Sequence, residues 1–226
     1  LSDHYSRYLF QCEALEGTQS KPAEIALREA FETFGLPDAI LSDNGCPFGS
    51  QGIFGLSRIS LMFLRLGINV LRIEPGHPEQ NGRHERMHLT LKRATTRPAA
   101  NNLLQQQEHF DRFRREYNED RPHEALAMKT PASMWTPPIR KMPPVLPDPN
   151  YEREDLVRLV TNYGQVHLRK GQVFTLGSAF IDQPVALTEI EDKIWRVRFM
   201  NYELGLVDEV TRKFKPNQYL NLLPMS

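Results

Sequence analysis

FGLPDAILSDNGCPF, residues 34–48, packs three structural signals into one short stretch. Gly35 suits the position just past a helix, where a left-handed backbone closes the last turn. AILSDNG then reads as a short buried strand that runs into a polar turn. Upstream, Pro22 opens a helix that runs to about Phe34, with Ala23, Ala26, Leu27, Ala30, Phe31 and Phe34 at helical spacing. Before it, Tyr8 to Leu15 is rich in aromatic and apolar residues and reads as a strand. Downstream, Leu56 to Leu66 is a second apolar helix closed by Gly67, and INVLRI (residues 68–73) is the next strand. Strand, helix, strand, helix, strand implies an α/β layer with a sheet at its centre.

Two further helices are predicted, from about Gly82 to Arg97 and from about Leu103 to Tyr117. Residues 129–150 then hold prolines 131, 137, 138, 143, 144, 147 and 149, a density that reads as a stiff extended linker with no helix or central strand. Beyond it come short β runs: LVRLV, QVHLR, QVFTL, PVALTEI, IWRVRF and ELGLVDEV, separated by turn signals. Runs of this kind predict a small barrel-like all-β domain. The expected division is a core at 1–128, a Pro-rich linker at 129–150 and the β-rich domain at 151–226.

Basic and acidic side chains balance at 28 each, yet unevenly along the chain. Residues 1–71 carry 5 basic and 8 acidic groups, 72–150 carry 13 and 10, and 151–226 carry 10 and 10. The middle third is the part suited to a polyanion. No apolar run approaches the roughly 18–20 residues that span a bilayer, and the opening LSDHYSRYLF lacks the pattern of a secretion signal. A cytoplasmic protein without a membrane partner is the expectation. Cys12 and Cys46 have no CxxC spacing, so both are expected to be packing residues.

Two carboxylates stand out by position. Asp43 ends the AILS strand, where open α/β sheets commonly place their sites. Glu85 begins a helix whose predicted N-cap is Asn81. Together they are suited to hard divalent cations such as Mg2+ or Mn2+, and a pair of such ions stabilises in-line phosphoryl transfer. Each also has a plain reading, as an Asp-Asn-Gly turn and as a first-turn Glu that complements the helix dipole. Around Glu85, Arg83, Arg86, Thr90, Arg93 and Arg97 follow steps of three and four and share one helix face. Glu85, His88 and Lys92 form an adjacent stripe, with Met87, Leu91 and Ala94 as the apolar one. A carboxylate beside a basic track suits an enzyme acting on a polyanion, and a solvated amphipathic helix has the same pattern. PGHPEQNG is a loop of the kind that closes over a substrate, with His77, Asn81 and Gly82 in or beside it. In the tail, Trp195, Val197 and Phe199 alternate with Arg196 and Arg198, giving one packing face and one basic face.

DHYSRYLF, FGLPDAILSDNGCPF, PGHPEQNGRHERMHLTLKR and YNEDRPHEALAMKTP, in that order and spacing, resemble the catalytic core of DDE-type insertion-sequence transposases related to retroviral integrases. The resemblance covers roughly residues 1–135. It implies a partial ribonuclease-H-like core, with Asp43 as the second acid and Glu85 as the third acid of the triad. It further implies two Mg2+ or Mn2+ ions in the complete enzyme, DNA ends and target DNA as partners held by Arg83, Arg86, Lys92, Arg93 and Arg97, and a homo-oligomer. The expected activity is metal-dependent cleavage and strand transfer, with a nuclease of the same fold or a non-catalytic DNA-binding module as alternatives. In the family the first acid precedes the segment resembling DHYSRYLF, so Asp3 is not its equivalent. The chain, which opens at Leu1 without a Met, is expected to hold only part of the metal site and to give little strand transfer alone. A bacterial, nucleoid-associated setting is the matching expectation.

Overall fold

The computed structural model describes residues 1–13, 20–43, 45–50, 52–73, 77, 80, 82–96, 100–169 and 171–217. Its contacts gather into two compact units, Leu1–Pro37 with Ile73–Met142, and Asp38–Arg72 with Pro143–Ser226.

The first unit is helical. α1, Ser20–Phe34, buries Leu27, Ala30 and Phe31, residues three and four apart and so on one face. It stops at Gly35, whose φ of +91° is open to glycine and costly for other residues. A Cβ there would also lie 2.8 Å from the Arg140 carbonyl oxygen and 2.9 Å from Pro138 Cγ. α3, Gly82–Thr95, packs on α4, Leu103–Arg115, through Met87, Phe113 and Tyr117, which form a buried cluster with Leu9. α4 is capped by Asn102, whose side chain accepts from the Gln105 N–H at 2.9 Å. At its far end α4 widens into a π turn, Glu116–Asp120, which buries both Tyr117 and Asn118.

The strand expected over Tyr8–Leu15 is not formed among the described residues, and residues 14 and 15 lie outside them. Leu9 pairs with Ser2 as an isolated antiparallel bridge only. Side chains of the helices take the place of a neighbouring strand. The Leu9 N–H donates to Asn118 Oδ1 at 2.8 Å, the Leu9 carbonyl accepts from Asn118 Nδ2 at 2.9 Å, and the Phe10 carbonyl accepts from Arg114 at 2.9 Å. Buried backbone groups must be paired, and one carboxamide pairs both groups of Leu9. The linker also departs from expectation, because Pro131–Met134 forms one helical turn, α5. Pro131 sits in its first turn, where a missing N–H costs nothing. Trp135, just beyond, stacks on Tyr8 at 4.7 Å and meets Phe10 and Phe34 edge-on.

The second unit joins a βαβ piece to the β-rich tail. β1, Ala39–Ser42, and β2, Asn69–Arg72, pair in parallel with Ile40 opposite Val70. Between them α2, Arg58–Arg65, buries every residue from Ile59 to Leu64. Ser57 and Ser60 form a capping box at its start, and both hydroxyls also donate to the Phe48 carbonyl, at 2.9 and 2.6 Å. In the tail β3 (Leu156–Leu159), β6 (Pro184–Glu191), β7 (Ile194–Phe199), β8 (Tyr202–Asp208) and β9 (Lys213–Pro216) make an antiparallel sheet in the order β3-β6-β7-β8-β9. β4 (Gln165–His167) and β5 (Val173–Thr175) form a separate hairpin. β7 buries Trp195, Val197 and Phe199 on alternate positions, as its sequence predicts. Phe54, from the loop before α2, meets Phe180 edge-on at 5.6 Å, and Arg65 donates to the Pro147 and Leu146 carbonyls, Asp148 and Gln183. Of the two cysteines, Cys12 packs against the Leu9 cluster, whereas Cys46 is exposed. Its turn after β1 lies outside the sheet, which removes it from the packing role expected of it.

Candidate functional site

α3 carries most of the candidate residues. Arg83, Glu85, Arg86, Lys92 and Arg93 are all exposed, while Met87 faces inward and Leu91 packs on the Leu9 cluster. The apolar stripe therefore turns the basic face outward, except that Ala94 is exposed and Thr95 takes the buried place, its hydroxyl donating to the Leu91 carbonyl at 2.8 Å. Glu85 lies in the first turn, where a negative charge complements the helix dipole. It makes no ion pair among the described residues. Gly82 begins the helix, and His77, ahead of it, is exposed with its carbonyl accepting from the Gln80 N–H at 3.2 Å. Asn81 and Arg97 lie outside the described residues.

Asp43 belongs to the other unit. It follows β1 directly, is exposed, and accepts from the Gly45 N–H through Oδ1 at 3.1 Å. The bond makes the turn that Asp-Asn-Gly predicts and leaves the second carboxylate oxygen to solvent. Just beyond, Phe48 and Gly49 donate to the Gly45 carbonyl, and the Ser57 and Ser60 hydroxyls pin the loop to α2. Among the described residues no three His, Cys, Asp or Glu side chains group as a metal site. The His84 and His88 rings, one helical turn apart, lie 4.4 Å from each other. Partial desolvation and then the amine of Leu1 hold His88 below the ordinary histidine range.

His4 and Arg7 were not singled out by spacing, yet the fold brings them to α3. Arg83 Nη1 donates to His4 Nε2 at 2.6 Å, and Arg7 Nη1 donates to the His4 carbonyl at 2.6 Å. Asp3, in the same turn, accepts from the Ser6 N–H and hydroxyl, both at 2.7 Å, and is a turn-forming residue. His and Arg within DHYSR were the only signal, and no helical period ties them to residues near 83. In the tail the basic face of β7 is largely neutralised. Arg196 pairs with Glu203 at 3.1 Å and Arg198 with Asp155 at 2.7 Å. Burial pushes the Asp155 carboxyl up, but hydrogen bonds from Thr188, Arg198 and the Glu152 N–H outweigh it and hold the group below the usual range.

Residues 66–131 match the integrase core domain family. Over 75 residues the chain is 43% identical to a Gag-Pol polyprotein of baboon endogenous virus (strain M7), covering 33% of this chain and 4% of that protein. Over 95 residues it is 36% identical to a Pol polyprotein of feline endogenous virus ECE1, covering 42% and 8%. The chain thus spans less than a tenth of the length of these polyproteins. In fold it resembles a chain of the simian T-cell lymphotropic virus intasome solved in complex with a PP2A regulatory subunit, with a TM-score of 0.50, 17% identity, and coverage of 89% of this chain and 69% of that one. The integrase core match and this likeness together fit an α/β fold of the ribonuclease-H-like class. The relatives overturn the expected bacterial, nucleoid-associated setting, because endogenous retroviral polyproteins point to a eukaryotic viral element. No helix of the described residues is long and apolar enough to cross a membrane.

Proposed function

We propose that this chain, which carries a retroviral-like integrase core segment, serves DNA integration as part of a polynucleotidyl transferase. The observation that carries the proposal is the integrase core match over residues 66–131, which spans Glu85 and the outward basic face of α3. Asp43 and Glu85 act as the second and third metal-holding carboxylates, with Mg2+ or Mn2+ as the ions. Their chemistry fits hard cations, since both are exposed oxygen donors, Glu85 has no ion pair among the described residues and Asp43 commits one oxygen to its turn. Two such ions, when bound, stabilise the attacking and leaving oxygens of a phosphodiester displacement.

The chain's own residues bind and orient the strand. Arg83, Arg86, Lys92, Arg93 and Arg97 hold backbone phosphates, which fixes register without reading bases. His77, Asn81 and Gly82, at or ahead of the start of α3 in sequence, meet the reacting end. The partners are DNA ends, target DNA and further copies of the chain. In this proposal residues 1–128 form the catalytic core, 129–150 the linker and 151–226 a β-domain in which the β4–β5 hairpin closes the five-stranded sheet into a barrel.

Calorimetric titration with Mn2+, paired with joining of a labelled DNA end to plasmid, tests the assignment. Metal uptake by the chain that falls at least tenfold in both Asp43→Asn and Glu85→Gln, with circular dichroism unchanged, is the expected result. Uptake that neither substitution alters sinks the carboxylate assignment. Metal-dependent cutting without joining would leave a nuclease, and DNA binding indifferent to metal would leave an assembly module.

A further inference from the structure

The two arginines that converge on His4 carry an inference that rests on the proposed DNA-handling role and extends it. Arg83 donates to the His4 ring and Arg7 to the His4 carbonyl, each at 2.6 Å. The ring nitrogen facing a guanidinium must be the acceptor, so His4 is neutral and carries its proton on Nδ1. Partial desolvation, then Arg83 and Arg7, keep the imidazole uncharged by lowering its basicity. Partial burial and then the nearby Arg83 lower the Arg7 guanidinium as well.

Two like charges are thus held together by one neutral histidine. Asp3, the acid nearest in sequence, turns its Oδ2 to the Ser6 N–H and hydroxyl, and its pull on Arg7 comes after burial and Arg83, which lower the guanidinium. Among the described residues neither guanidinium has a carboxylate partner. Each guanidinium carries five N–H donors in a planar fork, and one bond apiece to His4 leaves most of them unused. Paired, underused forks are what a tetrahedral dianion or phosphodiester accepts in bidentate fashion. Arg7 is also held at a φ of +64°, a left-handed conformation uncommon for a side-chain-bearing residue. The turn thereby presents the Arg7 side chain to the same neighbour as Arg83.

We infer that Arg7 and Arg83, set by His4, form a phosphate-binding clamp that takes a backbone phosphate of a nucleic-acid strand running along α3. The clamp extends the basic track of α3 onto the N-terminal turn, some eighty residues away in sequence. Its ligand is a phosphodiester, and its contribution is positional.

Fluorescence anisotropy of the full chain with a labelled DNA duplex, across a salt series, tests the clamp. Arg7→Gln keeps the length of the side chain and removes its charge, Arg7→Lys keeps the charge and removes the fork, and Arg28→Gln on α1 removes a charge elsewhere in the unit. Arg7→Gln is expected to weaken binding about 5–10-fold and to lower the log–log salt slope by about one, the loss of one phosphate contact. Arg7→Lys should recover the slope with part of the affinity, and Arg28→Gln should change neither. Wild-type and Arg7→Gln chains of equal melting temperature with equal affinity and slope would overturn the clamp while leaving the integration proposal intact. If the wild-type chain binds no duplex, the integration proposal fails, and a second arm with inorganic phosphate alone decides the site. Arg7-dependent thermal stabilisation by phosphate would then reassign it to free anion, against the nucleic-acid ligand inferred here. Should Arg7→Gln fail to fold, Arg7→Lys decides alone, with weakened binding at an unchanged salt slope expected and wild-type affinity overturning the clamp.

Discussion

His4, His88 and His123 share one direction of perturbation: each has its imidazole held below the ordinary 6.5 by desolvation and then by neighbouring cations. For His4 the cations are Arg83 and Arg7, with Asp3 opposing. For His123 they are Arg121 and Arg7, with a backbone hydrogen bond opposing. A lowered folded-state pKa means that the unfolded chain takes up protons first as pH falls. Their effect on stability is therefore nil well above 6.5, and stability declines as pH drops through 6.5 toward the depressed folded values. A scan from about pH 7.5 to about pH 5.5 should lower the melting temperature, and a His4→Gln, His123→Gln double variant should flatten that decline. An equal decline in the variant would assign the pH dependence to other groups. Asn118 is the second decisive residue. It is buried and pairs both backbone groups of Leu9. Asn118→Ala leaves a buried N–H and a buried carbonyl unpaired and should cost about 2–4 kcal/mol in urea unfolding. A cost under about 0.5 kcal/mol would mean that Leu9 finds other partners.

At the scale of elements, close backbone approach limits what the strands tolerate. Gly205 in β8 lies opposite Val197 at a register shift between β7 and β8, with a φ of +147°. A Cβ there would collide with the Lys215 carbonyl oxygen of β9 and lie 2.9 Å from Pro216 Cα. Backbone cannot yield as the end of a flexible side chain does. Gly205→Ala should therefore destabilise by more than about 2 kcal/mol and increase amide exchange in β9, measured by mass spectrometry. Elements of this kind were legible in sequence wherever a local rule sufficed. Gly35 and Gly67 end α1 and α2 where the spacing says they should, and both have positive φ. The alternation at 195, 197 and 199 gave the buried face of β7. The miss at Tyr8–Leu15 has a physical cause. An apolar, aromatic run states that its backbone wants partners, yet a carboxamide on a π turn supplies them as well as a strand does. β9 was missed because Lys213-Phe214-Lys215-Pro216 has too little apolar content to be separated from a turn.

For the molecule as a whole, residues 38–72 share a compact unit with the β-rich tail. Phe54 on Phe180 and Phe214, and Arg65 on residues 146–148 and Gln183, are among the contacts of that unit. Hydrogen exchange should show α2 and the β6–β7 pair opening together, and Arg65→Ala should lower protection of both by about 2 kcal/mol. Independent opening of α2 would break the unit in two. Of the candidate site, the Glu85 helix and its outward cations could be read directly from periodicity, and the turn role of Asp43 from its Asp-Asn-Gly run. The place of His4 and Arg7 could not. Residue order alone determined where helices start and stop, which faces are apolar, and that cations line one side of α3, because these depend on neighbours within a turn or two of backbone. Tertiary structure alone decided that Asn118 pairs Leu9 across 109 positions, that Arg83 meets His4, and that α2 joins the tail. The physical reason is that a buried N–H, an apolar face or a guanidinium specifies the chemistry of its partner but not its address. Many distant residues offer the same chemistry, and only closure of the intervening chain and the packing of everything else select one of them.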